Sequence, residues 1–367
     1  MKLENGHISE HSLMFGVYCF MQASMLRTAF IVGVTKNDSW AMAFTGLALA
    51  LVLVAIYAAL LRRYQQKNLF EINELIFGNV LGKVFSALYL FFFLTIAALN
   101  ARDLGNFAES SVLPGTPLTA FILMFLMVCV YAIRKGIENM MRLATVLSFV
   151  AAGALVFNVV LILKNVNIEF LKPMFQLPFK NYVQGTVTVA AIPMGEILAF
   201  TMITPMLGKN KKAGKMMALG LIYSVISLSI IMLRDIVTLG PLLGIVRLPS
   251  FESIRYISLA GVMTRMESLY AVILISLFLF KTVVLLYASV LGLAQILNFK
   301  SYSPLTLICG AFVLFYSLIV TKSAMENEEW GASVAPFFSL SFELMLPVIA
   351  LATAMIKRML KKKEAQQ

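Results

Sequence analysis

Histidine and cysteine are nearly missing from this sequence, and charge is sparse. Of 367 residues, two are His and three are Cys. His7 and His11 both stand near the N-terminus, so imidazole-based catalysis and zinc chemistry have almost no material to work with. Cys19, Cys129 and Cys309 each lie inside an apolar stretch, with no CxxC pair. They read as small buried hydrophobes, not as ligands or disulfide partners. Charged residues make up 13% of the chain, against roughly 25% in a soluble domain. Hydrophobic residues make up 60%, and the mean hydropathy is +0.88. Water is therefore not the main solvent. The sequence also carries no P-loop, nucleophile elbow, dinucleotide fingerprint or HExxH, which argues against ATP-driven transport and the common hydrolase mechanisms. An enzyme is not expected, and neither is a cofactor or a metal.

What the sequence has is long apolar runs. A bilayer core needs about 20 apolar residues in a helix, and segments at approximately 11–33, 40–61, 84–112, 117–133, 140–163, 182–207, 214–239, 268–297, 304–321 and 334–356 meet or approach that length. The expectation is an all-α membrane protein of about ten transmembrane helices in a single transmembrane domain. Glu4 and Glu10 precede the first run without a small-residue cleavage site, so that helix is expected to be retained. Between segments two and three, Leu69 to Ile76 alternates apolar and polar faces, as a short interfacial helix does.

The net charge of +12 takes its meaning from placement. Arg62, Arg63 and Lys67; Arg134, Lys135 and Arg142; Lys209, Lys211, Lys212 and Lys215; Lys300; and Lys357, Arg358, Lys361, Lys362 and Lys363 fall between or after apolar runs, on alternate loops. The opposite loops include the uncharged Leu113-Pro114-Gly115-Thr116-Pro117 and the acidic Glu326-Asn327-Glu328-Glu329. The positive-inside rule then puts both termini in the cytoplasm, with residues 357–367 as a basic tail. Positive charge is a topology signal and an anchor to anionic headgroups, so no nucleic-acid partner is needed.

Ten helices divide into five plus five, with repeats at about 11–163 and 182–356. Inverted-repeat transporters hold their substrate at interrupted helices in corresponding positions of the two halves. Segments one and six then correspond, and Ile192-Pro193-Met194-Gly195-Glu196 interrupts segment six. Pro193 lacks an N–H, Gly195 tolerates unwound geometry, and freed amides can hold a carboxylate. Proline and glycine alone fit an ordinary kink equally well. Glu196 shifts the balance, because an intramembrane carboxylate costs at least about 2.5 kcal/mol and usually faces a cavity or a partner.

Gln22-Ala23-Ser24 is the small polar interruption of segment one, and taken alone it reads more readily as close helix packing. Lys281 lies about thirteen residues into segment eight, roughly 20 Å deep, where it either snorkels or meets Glu196 in a cavity with Thr282 beside it. In segment three, Asn100 is placed to line such a cavity. Arg102, Asp103 and Glu109 are expected in a structural ion-pair network near the outer interface, and Arg265 and Glu267 mark the outer start of segment eight.

Several short motifs follow one another along the chain: Ile8-Ser9-Glu10, Trp40, Asn100-Ala101-Arg102 with Phe107 and Glu109, and Leu113-Pro114-Gly115-Thr116-Pro117. Then come Arg134-Lys135-Gly136-Ile137-Glu138 with Arg142-Leu143-Ala144, Pro193-Met194-Gly195-Glu196, Glu252 to Ser258, Arg265-Met266-Glu267, Lys281-Thr282 and Tyr287. In this order and spacing the chain resembles the B-subunit family of spore germinant receptors, within the amino acid/polyamine/organocation transporter superfamily.

The resemblance implies a LeuT-like five-plus-five inverted-repeat fold with helices one and six broken. It implies sensing of a small germinant, an amino acid or a sugar, in the spore inner membrane, together with A and C partner subunits. Carried over by position, the family's ligand contacts select Ala23, Ser24, Ile96, Pro193, Met194, Gly195, Glu196, Lys281 and Thr282, to which Asn100 is added from its place in segment three. The chain departs from the family in having no proline at Ala23-Ser24-Met25-Leu26-Arg27 and no aromatic flanking Pro193. The leading expectation is a receptor subunit, and the alternative is a proton- or cation-coupled amino acid transporter.

Overall fold

The structure is a computed structural model that describes residues 6–163, 166–208, 212–255 and 266–364. Lys209, Lys211, Tyr256 to Ser258 and Arg265 lie outside the described residues. In a bilayer every backbone N–H and C=O has to be satisfied within the protein, which selects helices for apolar runs of this length. The described chain is helical throughout its apolar segments: α1 (Glu10–Gln22), α2 (Thr28–Thr35), α3 (Ser39–Arg63), α4 (Leu69–Phe107), α5 (Leu118–Arg134), α6 (Ile137–Ile162) and α7 (Phe179–Val189), followed by α8 (Ala213–Leu239), α9 (Pro249–Arg255), α10 (Met266–Ile296), α11 (Leu305–Ile319), α12 (Ala324–Ser333), α13 (Ala335–Leu340) and α14 (Leu346–Glu364).

Among the described residues, seven continuous helical runs are long and apolar enough to span a membrane, and α11 with α12, bent by 97°, makes up to eight. All ten expected segments nevertheless fall on apolar helix. The first run, Glu10–Arg63, holds two of them, divided where Lys36 leaves helical geometry with φ 49°. Helix α5 has only 17 residues and falls below the length of a full span.

Two features depart from the sequence reading. Glu326 to Glu329, expected as an acidic loop, belong to α12, whose N-terminus is capped by the Ser323 hydroxyl accepting from the Glu326 N–H. The expected interfacial helix is present but fused to segment three. A capping box between Asn68 and Glu71 starts it, and Gly78, at φ 83° and ψ 179°, breaks it from the spanning part of α4. Only glycine adopts that geometry readily.

Helix α1 packs against α6 and α8, α3 against α8 and α7, and α10 against α4 and α6. This brings the interrupted first and sixth segments alongside the midsections of α4 and α10.

Candidate functional site

Both interrupted segments change helix type at their centres. In the first, α1 ends at Gln22 and Ala23–Arg27 tightens into a 3-10 stretch before α2 resumes. The dihedrals stay near the right-handed region, so this segment narrows without unwinding. In the sixth, Ala190–Met194 widens into a π turn, Ile192 leaves helical geometry at φ −122° and ψ 103°, and Gly195–Met202 continues as 3-10 helix. The break therefore falls at Ile192, just ahead of Pro193, whose ring and missing N–H prevent regular helix there.

Gly195 does not play the part expected of it. Its φ −69° and ψ −28° are ordinary helical values. What it supplies is a missing side chain, because a Cβ at 195 would collide with the carboxylate of Glu343.

Four charged side chains meet between these segments. Glu196, fully buried, accepts from the Arg27 guanidinium at 2.7 Å through Oε1 and pairs with the Lys281 ammonium at 2.6 Å through Oε2. Arg27 Nε donates to Asp103 Oδ2 at 2.8 Å, and Asn327 Nδ2 donates to Asp103 Oδ1 at 2.5 Å. Lys281 also donates to Ser24 Oγ at 2.7 Å and lies 4.8 Å from the centre of the Phe20 ring. Asn100 Nδ2 donates to Thr282 Oγ1 at 2.6 Å. Two cations and two anions thus form one neutral chain, Asp103–Arg27–Glu196–Lys281, drawn from four elements. Pairing at these distances is what makes burial of the charges tolerable.

Of the sequence-selected positions, Ser24, Asn100, Glu196, Lys281 and Thr282 make these contacts. Ala23 opens the 3-10 stretch, Pro193 and Met194 close the π turn, and all three are buried. Ile96 is buried one turn before Asn100 on the same face of α4. Three participants lie outside the sequence-selected positions: Asp103, Arg27 and Asn327. Asp103, expected in an ion-pair network near the outer interface, does form an ion pair, with Arg27, and both side chains are buried. Glu109, by contrast, is exposed. A signal was available for Asp103, since Ile96, Asn100 and Asp103 follow helical spacing on one face. Arg27 lies one turn beyond Ser24 on the same side of the first segment. Asn327 came from a stretch read as loop. Glu267 stands in the first turn of α10 and is half-buried.

A recess of about 40 Å³ reaches this chain of charges, lined by Arg27, Phe30, Asp103, Asn106, Arg247 and Asn327 among others. At its rim, Arg247 Nε pairs with Glu328 at 2.6 Å.

Residues 7–325 match the spore germination protein family. The chain belongs to that family. Among its curated relatives, spore germination protein KB of Bacillus subtilis (strain 168) is 27% identical over 365 residues, covering 97% of this chain and 96% of the relative. Spore germination protein YndE of the same organism is 25% identical over 287 residues, covering 77% of each. Two solved transporters share the fold. Mhp1, a nucleobase-cation-symport-1 family transporter in a closed conformation with bromovinylhydantoin bound, has a TM-score of 0.73 at 15% identity, covering 95% of this chain and 78% of Mhp1. A Na+-coupled sialic acid symporter has a TM-score of 0.68 at 10% identity, covering 96% and 89%. The germination-family chain is therefore a multi-span, LeuT-like membrane protein of the five-plus-five inverted-repeat class.

Proposed function

We propose that this protein is a germinant receptor B subunit that binds an amino acid between its broken helices and signals to A and C partner subunits. The observation that carries the reading is the buried chain Asp103–Arg27–Glu196–Lys281. Removing one member of a buried pair is costly because it strands the other. A zwitterion avoids that cost, since its carboxylate can replace Glu196 at Arg27 or Lys281 while its ammonium takes up the released acid. A neutral sugar cannot make that exchange, so an amino acid is favoured over a sugar.

Binding favours one arrangement of the helices only through a difference in affinity between states, and that difference is what reaches the partners. The repeats at about residues 11–163 and 182–356 supply the two broken helices of one transmembrane domain. The setting is the spore inner membrane with both termini cytoplasmic, in line with the basic loops. Family membership and the transporter fold support a non-enzymatic role that needs no nucleic acid. The test is a thermal-shift screen of the purified protein against amino acids and sugars, since a ligand of the folded state raises its melting temperature. Saturable stabilisation by an amino acid, lost in Lys281→Met, is expected. A flat response to every amino acid, with normal germination of spores lacking the gene, overturns the reading. Concentrative uptake in proteoliposomes would replace sensing by cation-coupled transport.

A further inference from the structure

Outside the balanced chain of charges, Asp38 and Asp235 are buried with hydrogen-bond partners, and a third buried acid has none among the described residues. Glu343 lies in the π-type stretch Ser341–Met345 that joins α13 to α14, is fully buried, and has no hydrogen-bond partner on either carboxylate oxygen among the described residues. The Tyr57 hydroxyl from α3 donates to the Glu343 backbone carbonyl at 2.7 Å and leaves the carboxylate alone. Tyr89 of α4 is buried, and its hydroxyl has no hydrogen-bond partner among the described residues. The charges facing Glu343 are Glu196 from the sixth segment and Lys281 from α10. Lys281 is committed to Glu196 and Ser24. Helix α13, and α14 as far as Ile356, carry no titratable side chain. The carboxylate instead fills the space that a Cβ on Gly195 would occupy.

An ionised carboxyl here would be a surplus buried charge beside another anion, with no donor to offset its lost hydration. Four neighbouring charges already cancel. No group of three or more acidic, histidine or cysteine side chains converges here among the described residues.

We propose that Glu343 is a proton-binding site that latches the sixth-helix break against the tenth segment. With its proton, the neutral acid packs on Gly195 and the Gly195–Met202 stretch stays in place. Separation of the two segments admits water, the O–H bond of the acid breaks, its proton passes to water, and the carboxylate is hydrated. Proton release and movement of the break are then one equilibrium, favoured toward the packed arrangement by acid and toward separation by alkali. The inference rests on reading the sixth-helix break as the moving part of a ligand site.

The experiment uses the full-length protein in lipid nanodiscs without ligand. Infrared spectroscopy of the wild type is expected to show the carbonyl band of a protonated carboxylic acid at neutral pH, shifted in E343D and missing in E343Q. Melting temperature is expected to fall as the wild type is taken from mildly acid to alkaline pH, and to lose most of that dependence in E343Q, which stays permanently neutral. No acid band in the wild type, or an E343Q melting profile with the wild-type pH dependence, overturns the latch. So does stabilisation by Na+ at fixed pH that E343Q abolishes, because a metal cation is then the occupant. None of these readouts needs an amino acid, so the latch and the ligand reading fail separately.

Discussion

Two buried charge clusters in this protein have opposite construction. The central one joins Arg27, Asp103, Glu196 and Lys281 across four elements, with partners as far apart as 169 residues. The other joins consecutive residues of α8: Arg234 Nη2 lies 2.7 Å from Asp235 Oδ1, and the hydroxyls of Ser250 and Ser253 each donate to Asp235 at 2.6 Å. Both are buried, so burial alone does not separate them. The Arg234–Asp235 pair travels with its own helix and staples α9 to it, and it comes apart only if that corner unfolds. The central chain loses contacts whenever one broken segment shifts against α4 or α10. Buried charge that spans independent elements is suited to switching, whereas buried charge within one helix is suited to holding.

The largest test of this difference uses Glu196→Ala and Asp235→Ala together. Each strands a buried cation and is expected to cost about 3–5 kcal/mol in thermal unfolding. Only Glu196→Ala is expected to abolish the amino-acid thermal shift; loss of the shift in both would erase the distinction. Ser253→Ala removes one hydrogen bond to a charged group and should cost about 1.5–3 kcal/mol with ligand response intact. Gly195→Ala forces a methyl group into the Glu343 carboxylate. A loss of about 1–3 kcal/mol is expected, partly recovered in the double variant with Glu343→Ala, and strict additivity in that cycle would show that the two positions do not touch. The smallest effect belongs to Arg247→Ala, since its pair with Glu328 is 46% and 38% exposed. At most about 1 kcal/mol, vanishing at high salt, is expected there.

The spans were legible because hydropathy and length are properties of the chain alone. Pro193 and Glu196 were legible for a similar reason, as each is anomalous inside an apolar run. Pairing was harder. Asp103 continues the face of α4 that carries Ile96 and Asn100, whereas Glu109 lies beyond α4 in the π-type stretch Ala108–Val112 and is exposed, but the sequence does not show that Arg27 is the residue opposite Asp103. Asn327 needed a helix, α12, that its acidic neighbours disguised. Glu343 could have been found by the reasoning applied to Glu196, being a lone acid in the tenth segment, but nothing in the sequence gives its approach to Gly195. That contact comes from the π turn at Ser341–Met345, which re-aims the side chain.

The end of α14 has a mechanical meaning. Instead of fraying after the apolar run, the helix continues to Glu364, and on the way Lys357 Nζ donates to the Ile76 carbonyl at 2.5 Å. Ala350 and Ala354 share a small apolar core with Leu60, Ile72 and Ile76. The basic end of α14 and the amphipathic start of α4 are thus tied together at one edge of the molecule, while the glycine geometry at 78 separates that tie from the spanning part of α4 that carries Asn100 and Asp103.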